Sequence, residues 1–228
     1  MRYAAYWAPP RGSPLACFGA RWLGRDALTG ERFVADARHR AITADPRRYG
    51  LHATLKAPIA LADGATSADV ARALAGLAAR FTPFVTPPWV LADIDGFLAL
   101  VPDPTIEAGR PAPLHALADA AVLALEPLRR PADAAEIARR RPERLSPAGR
   151  ENLRRFGYPW VFEAFFAHLT LSGRLDRPER DTVAARLRRE LAPLPATPLA
   201  FHEIALFVEE APGAPLRLAE SFPLGVQR

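Results

Sequence analysis

The sequence predicts an α+β fold, in which two antiparallel sheets face a central cleft and helices lie outside them. Half of the 228 residues are apolar, which is enough to bury a core and is typical of a folded domain. Short stretches that alternate apolar and polar residues are interleaved with stretches of helical periodicity. One four-residue pattern also occurs twice, each time within an alternating stretch. These features indicate a mixed fold built from two similar halves.

Local signals give the order of the elements. Ser13 and Pro14 predict the start of a helix that ends at Gly24, because serine caps helix N-termini, proline fits the first turn and glycine ends helices. Asp95-Gly96 predicts the turn of a β-hairpin. The predicted strands are 2–8, 50–59, 89–94, 97–101, 164–173, 199–209 and 216–222. The predicted helices are 14–23, 68–80, 113–128, 131–156 and 177–191.

The order of elements repeats loosely along the chain. Strand, helix, strand, helix and hairpin come first, and a strand, a helix and a hairpin follow residue 156. We therefore expect a single bilobal domain over 1–228, with lobes of roughly 1–102 and 157–228. A mostly helical connection, 103–156, would join the lobes.

The repeated pattern is His-x-Thr-Leu, found at His52–Leu55 and again at His168–Leu171. Side chains alternate between the two faces of a strand, so each histidine shares a face with the threonine two residues later. Lys56 extends this polar row in the first copy, and Ser172 extends it in the second. The opposite face is apolar in both copies, which predicts strands packed on one side only. The two polar rows are expected to face one cleft.

A pair of histidines on one cleft can supply both proton transfers of an acid–base reaction. Imidazole titrates near neutral pH, so one ring can take a proton while the other gives one. Opening a cyclic phosphodiester requires both events, because water or a hydroxyl loses a proton and the departing oxygen gains one. Thr54 and Thr170 would donate hydrogen bonds to the non-bridging phosphoryl oxygens. The alternative for each histidine is a partly buried structural residue, hydrogen-bonded to its neighbouring threonine.

The charge of the chain leaves two interpretations open. The net charge is +5, yet 29 of the 30 basic residues are arginine, a bias that a GC-rich genome produces as readily as selection for phosphate binding. The single lysine, Lys56, suits phosphate oxygens as a compact donor, and a solvated strand residue is the alternative. Nine arginines lie between Arg129 and Arg155. Most are expected on solvated helix faces, with a few reaching the cleft.

Two further groups of residues are expected to be structural. The aromatic run from Phe156 to Phe166 is expected to form core or cleft wall, with stacking on a nucleobase as the alternative. His39, His115 and His202 have no serine or threonine two residues later, so we expect them to be structural or surface residues.

Cysteine usage and hydropathy indicate the compartment. The single cysteine, Cys17, excludes an internal disulfide, fits a reducing cytoplasm and is expected to be buried among its apolar neighbours. No apolar run approaches the roughly 20 residues of a membrane span, and the first residues are too aromatic for a signal peptide. A cytoplasmic protein without a membrane partner is expected. No cluster of cysteine and histidine has zinc-ligand spacing, so no metal site is expected.

The paired motif and its flanks resemble the 2H phosphoesterase superfamily, whose members include cyclic phosphodiesterases and RNA 2′,5′-ligase-like proteins. The resemblance is closer still to a bacterial branch, the DUF1045-like proteins, which are often encoded with genes of phosphonate metabolism. Beyond the two motifs it rests on five blocks of sequence: Arg2–Pro9, Trp22–Asp26, Arg47–Pro58, Phe156–Glu163 and Phe222–Leu224.

The resemblance implies a bilobal 2H phosphoesterase-like fold and a metal-independent phosphoesterase without a cofactor. Its substrate would be a small cyclic or nucleotide-like phosphodiester, such as a cyclic phosphate or an RNA end, with a link to phosphonate metabolism. His52 and His168 would be the catalytic acid and base, in an order that the sequence leaves open. The implied substrate-binding residues are Thr54, Thr170, Lys56, Tyr49 and Ser172.

Two other functions fit the same motifs. A non-catalytic protein that binds RNA or a phosphorylated metabolite would keep the cleft and show no turnover, and its affinity for RNA would fall steeply with salt. An RNA 2′,5′-ligase-like enzyme would lengthen its substrate instead of opening a ring.

Overall fold

The computed structural model describes residues 1–194 and 198–225, and these contain eight strands and eight α-helices. The strands are β1 (Arg2–Trp7), β2 (Ala53–Ile59), β3 (Phe84–Ile94), β4 (Phe97–Pro102), β5 (Leu169–Thr170), β6 (Pro198–Phe201), β7 (Glu203–Glu209) and β8 (Arg217–Pro223). The helices are α1 (Pro14–Leu23), α2 (Ala37–Ile42), α3 (Ala44–Tyr49), α4 (Ser67–Ala78), α5 (Ala112–Leu125), α6 (Ala134–Arg139), α7 (Pro147–Phe156) and α8 (Arg177–Leu191).

The strands form two four-stranded sheets, and every pairing in them is antiparallel. The first sheet has the order β2-β1-β7-β8, and the second has the order β5-β4-β3-β6. This confirms the predicted α+β class with two antiparallel sheets. The strands that carry the two motifs, β2 and β5, are edge strands, one in each sheet.

The expected division into lobes does not describe these sheets. Each sheet takes two strands from residues 1–102 and two from residues 157–228. The chain changes sheet at His202, where β6 of the second sheet ends and β7 of the first begins one residue later. The prediction of one continuous strand over 199–209 was therefore wrong, because alternation along a strand does not reveal which sheet it joins.

Local capping signals were reliable guides to the helices. Ser13 Oγ accepts a hydrogen bond from the backbone N–H of Ala16, and Gly24 ends α1 with a φ of 71°. Thr66 and Asp69 form a reciprocal capping box at the start of α4.

The expectation that Cys17 is buried was wrong: Phe18 and Trp22 lie on the buried face of α1, and Cys17 is exposed on the other side.

Two predicted elements are shorter than expected. The stretch 131–156 contains the short α6 and then α7, separated where Arg141 adopts a φ of 49° and Pro142 follows. The second motif strand, expected over 164–173, is reduced to Leu169–Thr170. It pairs with β4 only briefly, because the backbone N–H groups of Leu171 and Ser172 both reach the carbonyl of Leu98 and the chain then leaves the ladder.

One hydrophobic core extends across both sheets. Trp7 of the first sheet stacks on Phe201 of the second, with 4.5 Å between the ring centroids, and Phe201 stacks in turn on Phe84. Helix α5 packs along β2 and contributes buried Leu114 and Leu117 to the same core. Within residues 1–194 and 198–225, no helix has the length and apolar character needed to cross a membrane.

Candidate active site

His52 stands immediately before β2, and a glycine sets its orientation. Gly50 has a φ of 76°, and a Cβ at this position would lie 2.3 Å from the Cβ of Ala27, so only glycine fits. Its carbonyl oxygen lies 2.9 Å from Nδ1 of His52. Because a carbonyl oxygen only accepts, Nδ1 carries the proton, and the neutral ring therefore has its lone pair on Nε2.

His168 has the same arrangement at the start of β5. Its Nδ1 lies 2.9 Å from the carbonyl oxygen of Phe166, again the residue two positions earlier. The ring of Phe166 stacks on the imidazole, with centroids 5.1 Å apart, and Phe97 approaches it at 5.8 Å. The neutral ring of His168 thus also has its lone pair on Nε2. The two copies of the sequence pattern therefore hold their histidines in the same way, through a contact between Nδ1 and the carbonyl oxygen two residues earlier.

A cavity of about 190 Å³ is lined by residues of both motifs. Thr54, Leu55 and Ala57 of β2 line it, and so does His168, which immediately precedes β5. His52 is not among the described residues that line the cavity. It contacts the cavity through Thr54, whose hydroxyl lies 3.1 Å from Nε2 of His52. Burial is the main cause of the lowered pKa of His52, and the charge of His168 makes a small further contribution.

The environment keeps both imidazoles neutral. Burial lowers the pKa of His52 to about 4, against a smaller opposing effect of its bond to Gly50. His52 is 9 % exposed, and the cost of desolvating a charged ring is correspondingly high. The pKa of His168 is also lowered by burial, although this ring is only half-buried.

The structure separates the predicted partners of the two histidines. Thr54 lines the cavity, but the described lining residues include neither Thr170 nor Ser172. The Ser172 hydroxyl accepts from the backbone N–H of Leu98 at 2.9 Å and donates to the carbonyl of Gly173 at 2.8 Å. The prediction that Ser172 faces a substrate was wrong, because its short strand ends at Thr170 and both functions of the hydroxyl are used by backbone groups.

Lys56 matches neither interpretation offered by the sequence. It is 1 % exposed, and its Nζ donates to Glu126 at 2.8 Å. The expectation that β2 is packed on one side only was wrong here, since the end of α5 covers the polar row. Lys56 and Tyr49 line a second pocket, of about 310 Å³, which adjoins the cavity and shares Ala57 and Tyr158 with it.

Several residues of the site carried no recognisable sequence signal. Tyr6 of β1 stacks on His52, with 3.9 Å between the centroids. Asp119 of α5 lines the cavity; one of its carboxylate oxygens is buried without a hydrogen-bond partner among the described residues, and burial raises its pKa. Its place two turns into an apolar helix was the available clue.

The aromatic run forms the wall of the cavity, as expected. Trp160 and Phe166 line it and are exposed to solvent, whereas Phe165 lines it and is buried. Phe162 also lines it. Phe156 is buried against Phe162.

The remaining histidines lie outside this cavity. His39 is buried and contacts the carbonyl oxygen of Trp22, His115 packs against Phe165, and His202 is exposed. No group of three or more His, Cys, Asp and Glu side chains in the described part of the chain is placed to hold a metal ion.

Comparison with known proteins identifies relatives by sequence. The chain is 38 % identical over 227 residues to ribose 1,5-bisphosphate phosphokinase PhnN of Laribacter hongkongensis (strain HLHK9). The alignment covers 96 % of this chain and 50 % of that protein. It is 32 % identical over 238 residues to the protein of the same name from Janthinobacterium sp. (strain Marseille), covering 99 % and 51 %. The chain thus spans about half the length of the curated relatives it matches.

Comparison with solved structures gives a looser likeness. Usb1 of Kluyveromyces marxianus aligns over 77 % of this chain and 76 % of its own, with a TM-score of 0.33 and 11 % identity. A family model described as "Protein of unknown function (DUF1045)" matches residues 54–217, well over half of the chain and most of the elements that build the cavity. The chain therefore belongs to the DUF1045 family.

Proposed function

We propose that this protein is a two-histidine phosphoesterase, which hydrolyses a small cyclic or nucleotide-like phosphodiester without a metal ion. This is the activity of the 2H phosphoesterase superfamily that the sequence resembles. The observation that carries the proposal is the matched placement of His52 and His168. Each ring donates through Nδ1 to the carbonyl two residues earlier, which leaves each Nε2 for proton transfer.

The different burial of the two rings supports, within this proposal, a base role for one and an acid role for the other. As the pH falls, the ring that loses less hydration on burial is the one that binds a proton more readily. That ring is His168, which is half-buried, whereas His52 is 9 % exposed and has a pKa of about 4. His52 is therefore the general base, and His168 is the general acid once an anionic phosphodiester stabilises its charge.

In the proposed reaction a water molecule attacks phosphorus opposite the departing ring oxygen. Nε2 of His52 removes a proton from the water as the new P–O bond forms. The P–O bond to the ring alcohol breaks, and the Nε2–H of His168 gives its proton to that oxygen. The hydroxyl of Thr54 turns from His52 to a non-bridging oxygen and stabilises its charge. The product is a phosphomonoester with a free hydroxyl, and solvent returns a proton from His52 to His168.

The names of the curated relatives support a phosphorylated small substrate more than they support a kinase reaction. The only lysine of the chain, Lys56, follows His-Ala-Thr-Leu, whereas a phosphate-binding loop of the P-loop type places its lysine after a glycine-rich turn. We therefore take from the relatives' name the substrate class, a sugar phosphate, and not the reaction, which is the transfer of a phosphoryl group. The link to phosphonate metabolism stays a prediction of the resemblance.

A turnover screen with product identification tests this proposal. The purified protein, treated with a chelator, is incubated with 2′,3′-cyclic nucleotides, ribose cyclic phosphates and short RNAs, and phosphorus NMR and mass spectrometry identify the products. We expect the gain of one water and the appearance of a phosphomonoester. A longer RNA product would favour the ligase-like alternative, and tight binding without turnover would favour the non-catalytic one; either result would contradict the proposal.

A further inference from the structure

The pocket beside the cavity is strongly basic. Seven of its lining side chains are basic: Arg2, Arg48, Lys56, Arg129, Arg130, Arg139 and Arg140. Four carboxylates lie within ion-pair distance of members of this set, namely Glu126, Asp133, Glu136 and Glu209. Seven cations against four anions leave an excess of three positive charges around one concave space.

Two arginines of the pocket lack a carboxylate partner, and a third is only partly satisfied by its own. Within the described residues, Arg139 and Arg140 have no carboxylate partner, and Arg140 lies over the ring of Tyr158 at 5.0 Å. Arg48 bonds Glu209 through one terminal nitrogen, but its Nε is buried and has no hydrogen-bond partner in the described part of the chain. A buried guanidinium N–H without an acceptor is costly, but this nitrogen is closed to solvent. The two arginines without a carboxylate partner are therefore the groups most available to a bound anion.

The basic pocket adjoins the cavity that is lined by His168 and Thr54. Both are lined by Ala57 and Tyr158. Tyr49 lines the pocket, and its ring centroid is 5.9 Å from that of His52. A single small molecule could therefore place one group in the cavity beside His168 and Thr54 and another among the arginines.

We propose that the basic pocket binds a second phosphate group of the substrate, so that the preferred substrate is a cyclic phosphodiester that also carries a terminal phosphomonoester. This inference rests on the proposed function and adds the substrate class. The pocket, of about 310 Å³, has the size of a small-molecule site. Its arginines converge on one concave space, which suits a compact dianion more than the extended track of an RNA strand.

The binding experiment uses pyrophosphate as the probe and isothermal calorimetry as the readout. Arg139 and Arg140 lie at the end of the short helix α6, so the double variant Arg139→Gln/Arg140→Gln should keep its fold. The matched control is Arg154→Gln, an exposed arginine outside both pockets. We expect the double variant to weaken pyrophosphate binding by at least about 10-fold, as for the loss of charge-assisted bonds. The control and His52→Gln should bind within about 2-fold of the wild type.

The turnover experiment compares adenosine 2′,3′-cyclic phosphate with its 5′-phosphorylated form. We expect the extra phosphate to raise kcat/KM by at least about 10-fold in the wild type and in Arg154→Gln, and to give no such gain in the double arginine variant. Equal kcat/KM values for the two substrates in the wild type would overturn the inference while leaving the phosphoesterase proposal intact.

The two experiments separate the two proposals. If neither nucleotide is hydrolysed but pyrophosphate binds through Arg139 and Arg140, the phosphoesterase proposal fails and the anion site stands. If pyrophosphate binds no tighter than about 10 mM, or binds equally well to the double variant, the anion site is refuted. An affinity for oligoadenylate that rises with chain length would also refute it, because the arginines would then follow an RNA strand.

Discussion

The ring of Tyr6 stacks on the imidazole of His52, with 3.9 Å between the centroids and 28° between the planes. Tyr6 is 1 % exposed, so it covers one face of the histidine and keeps water from it. The low pKa of His52 is mainly a consequence of this burial. Tyr6, on the neighbouring strand, is thus one of the residues that bury the proposed base.

Replacement of Tyr6 should change the pKa of His52. In Tyr6→Ala, water reaches the imidazole, and we expect its pKa to rise from about 4 toward the ordinary value of 6.5. Tyr6→Phe is the matched control, because it retains the ring, and its pKa for His52 should stay near 4. NMR titration of the imidazole resonances measures both. A pKa that is unchanged in Tyr6→Ala, in a variant that keeps its fold by circular dichroism, would contradict this explanation.

Gly50 should tolerate no side chain. Its φ of 76° and the 2.3 Å approach of a Cβ to Ala27 predict backbone strain in Gly50→Ala, which would move the carbonyl that bonds Nδ1 of His52. We expect the free energy of unfolding to fall by roughly 1–3 kcal/mol and kcat to fall with it. Denaturant unfolding and kinetics test this, with Gly64→Ala as a control for φ strain at an open position. Equal activity in Gly50→Ala and Gly64→Ala would contradict the positioning role.

Substitutions at Ser172 and Thr54 should have opposite effects: the first should lower stability, and the second should lower activity. Ser172→Ala leaves the buried N–H of Leu98 without its acceptor, so we expect a loss of about 1–3 kcal/mol in unfolding free energy and little change in kcat/KM. Thr54→Val removes a donor that lines the cavity, and we expect a fall of about 10-fold or more in kcat with little loss of stability. The reverse pattern would show that the second motif, and not the first, binds the phosphoryl oxygens.

The pH dependence follows from the two lowered pKa values. The proposed base is active when neutral, so kcat/KM should fall as the pH drops through the pKa of His52, about 4. The proposed acid is active when protonated, so kcat/KM should also fall as the pH rises through the pKa of His168, which lies below its ordinary value of 6.5. The profile should be bell-shaped, with a mildly acidic optimum. A rate that keeps increasing above neutral pH would contradict the assignment.

The sequence predicted best what depends on neighbouring residues. The boundaries of α1 follow from Ser13, Pro14 and Gly24, because capping is decided within one helical turn. The fold class and the two motif strands also followed from local alternation. His168 lines the cavity, and His52 contacts it through the hydroxyl of Thr54, two residues later in the motif.

Contacts between distant segments were not predictable in this way. Lys56 pairs with Glu126, 70 residues later, and the sequence around each residue gives no indication of this pairing. The change of sheet at His202 and the early end of β5 depend on which strands find each other in three dimensions. The basic pocket likewise brings together Arg48 and Arg140, which lie on either side of the β3–β4 hairpin in the sequence.

The most direct test of the two-histidine mechanism compares leaving groups. A general acid matters for a poor leaving group and much less for a good one, whereas a general base matters for both. We therefore expect His168→Gln to lower kcat/KM by at least about 100-fold for a phosphodiester with an alkyl leaving group, and by less than about 10-fold for the p-nitrophenyl analogue. His52→Gln should lower both by at least about 100-fold. Near-wild-type hydrolysis of the alkyl substrate by either folded variant would contradict the account.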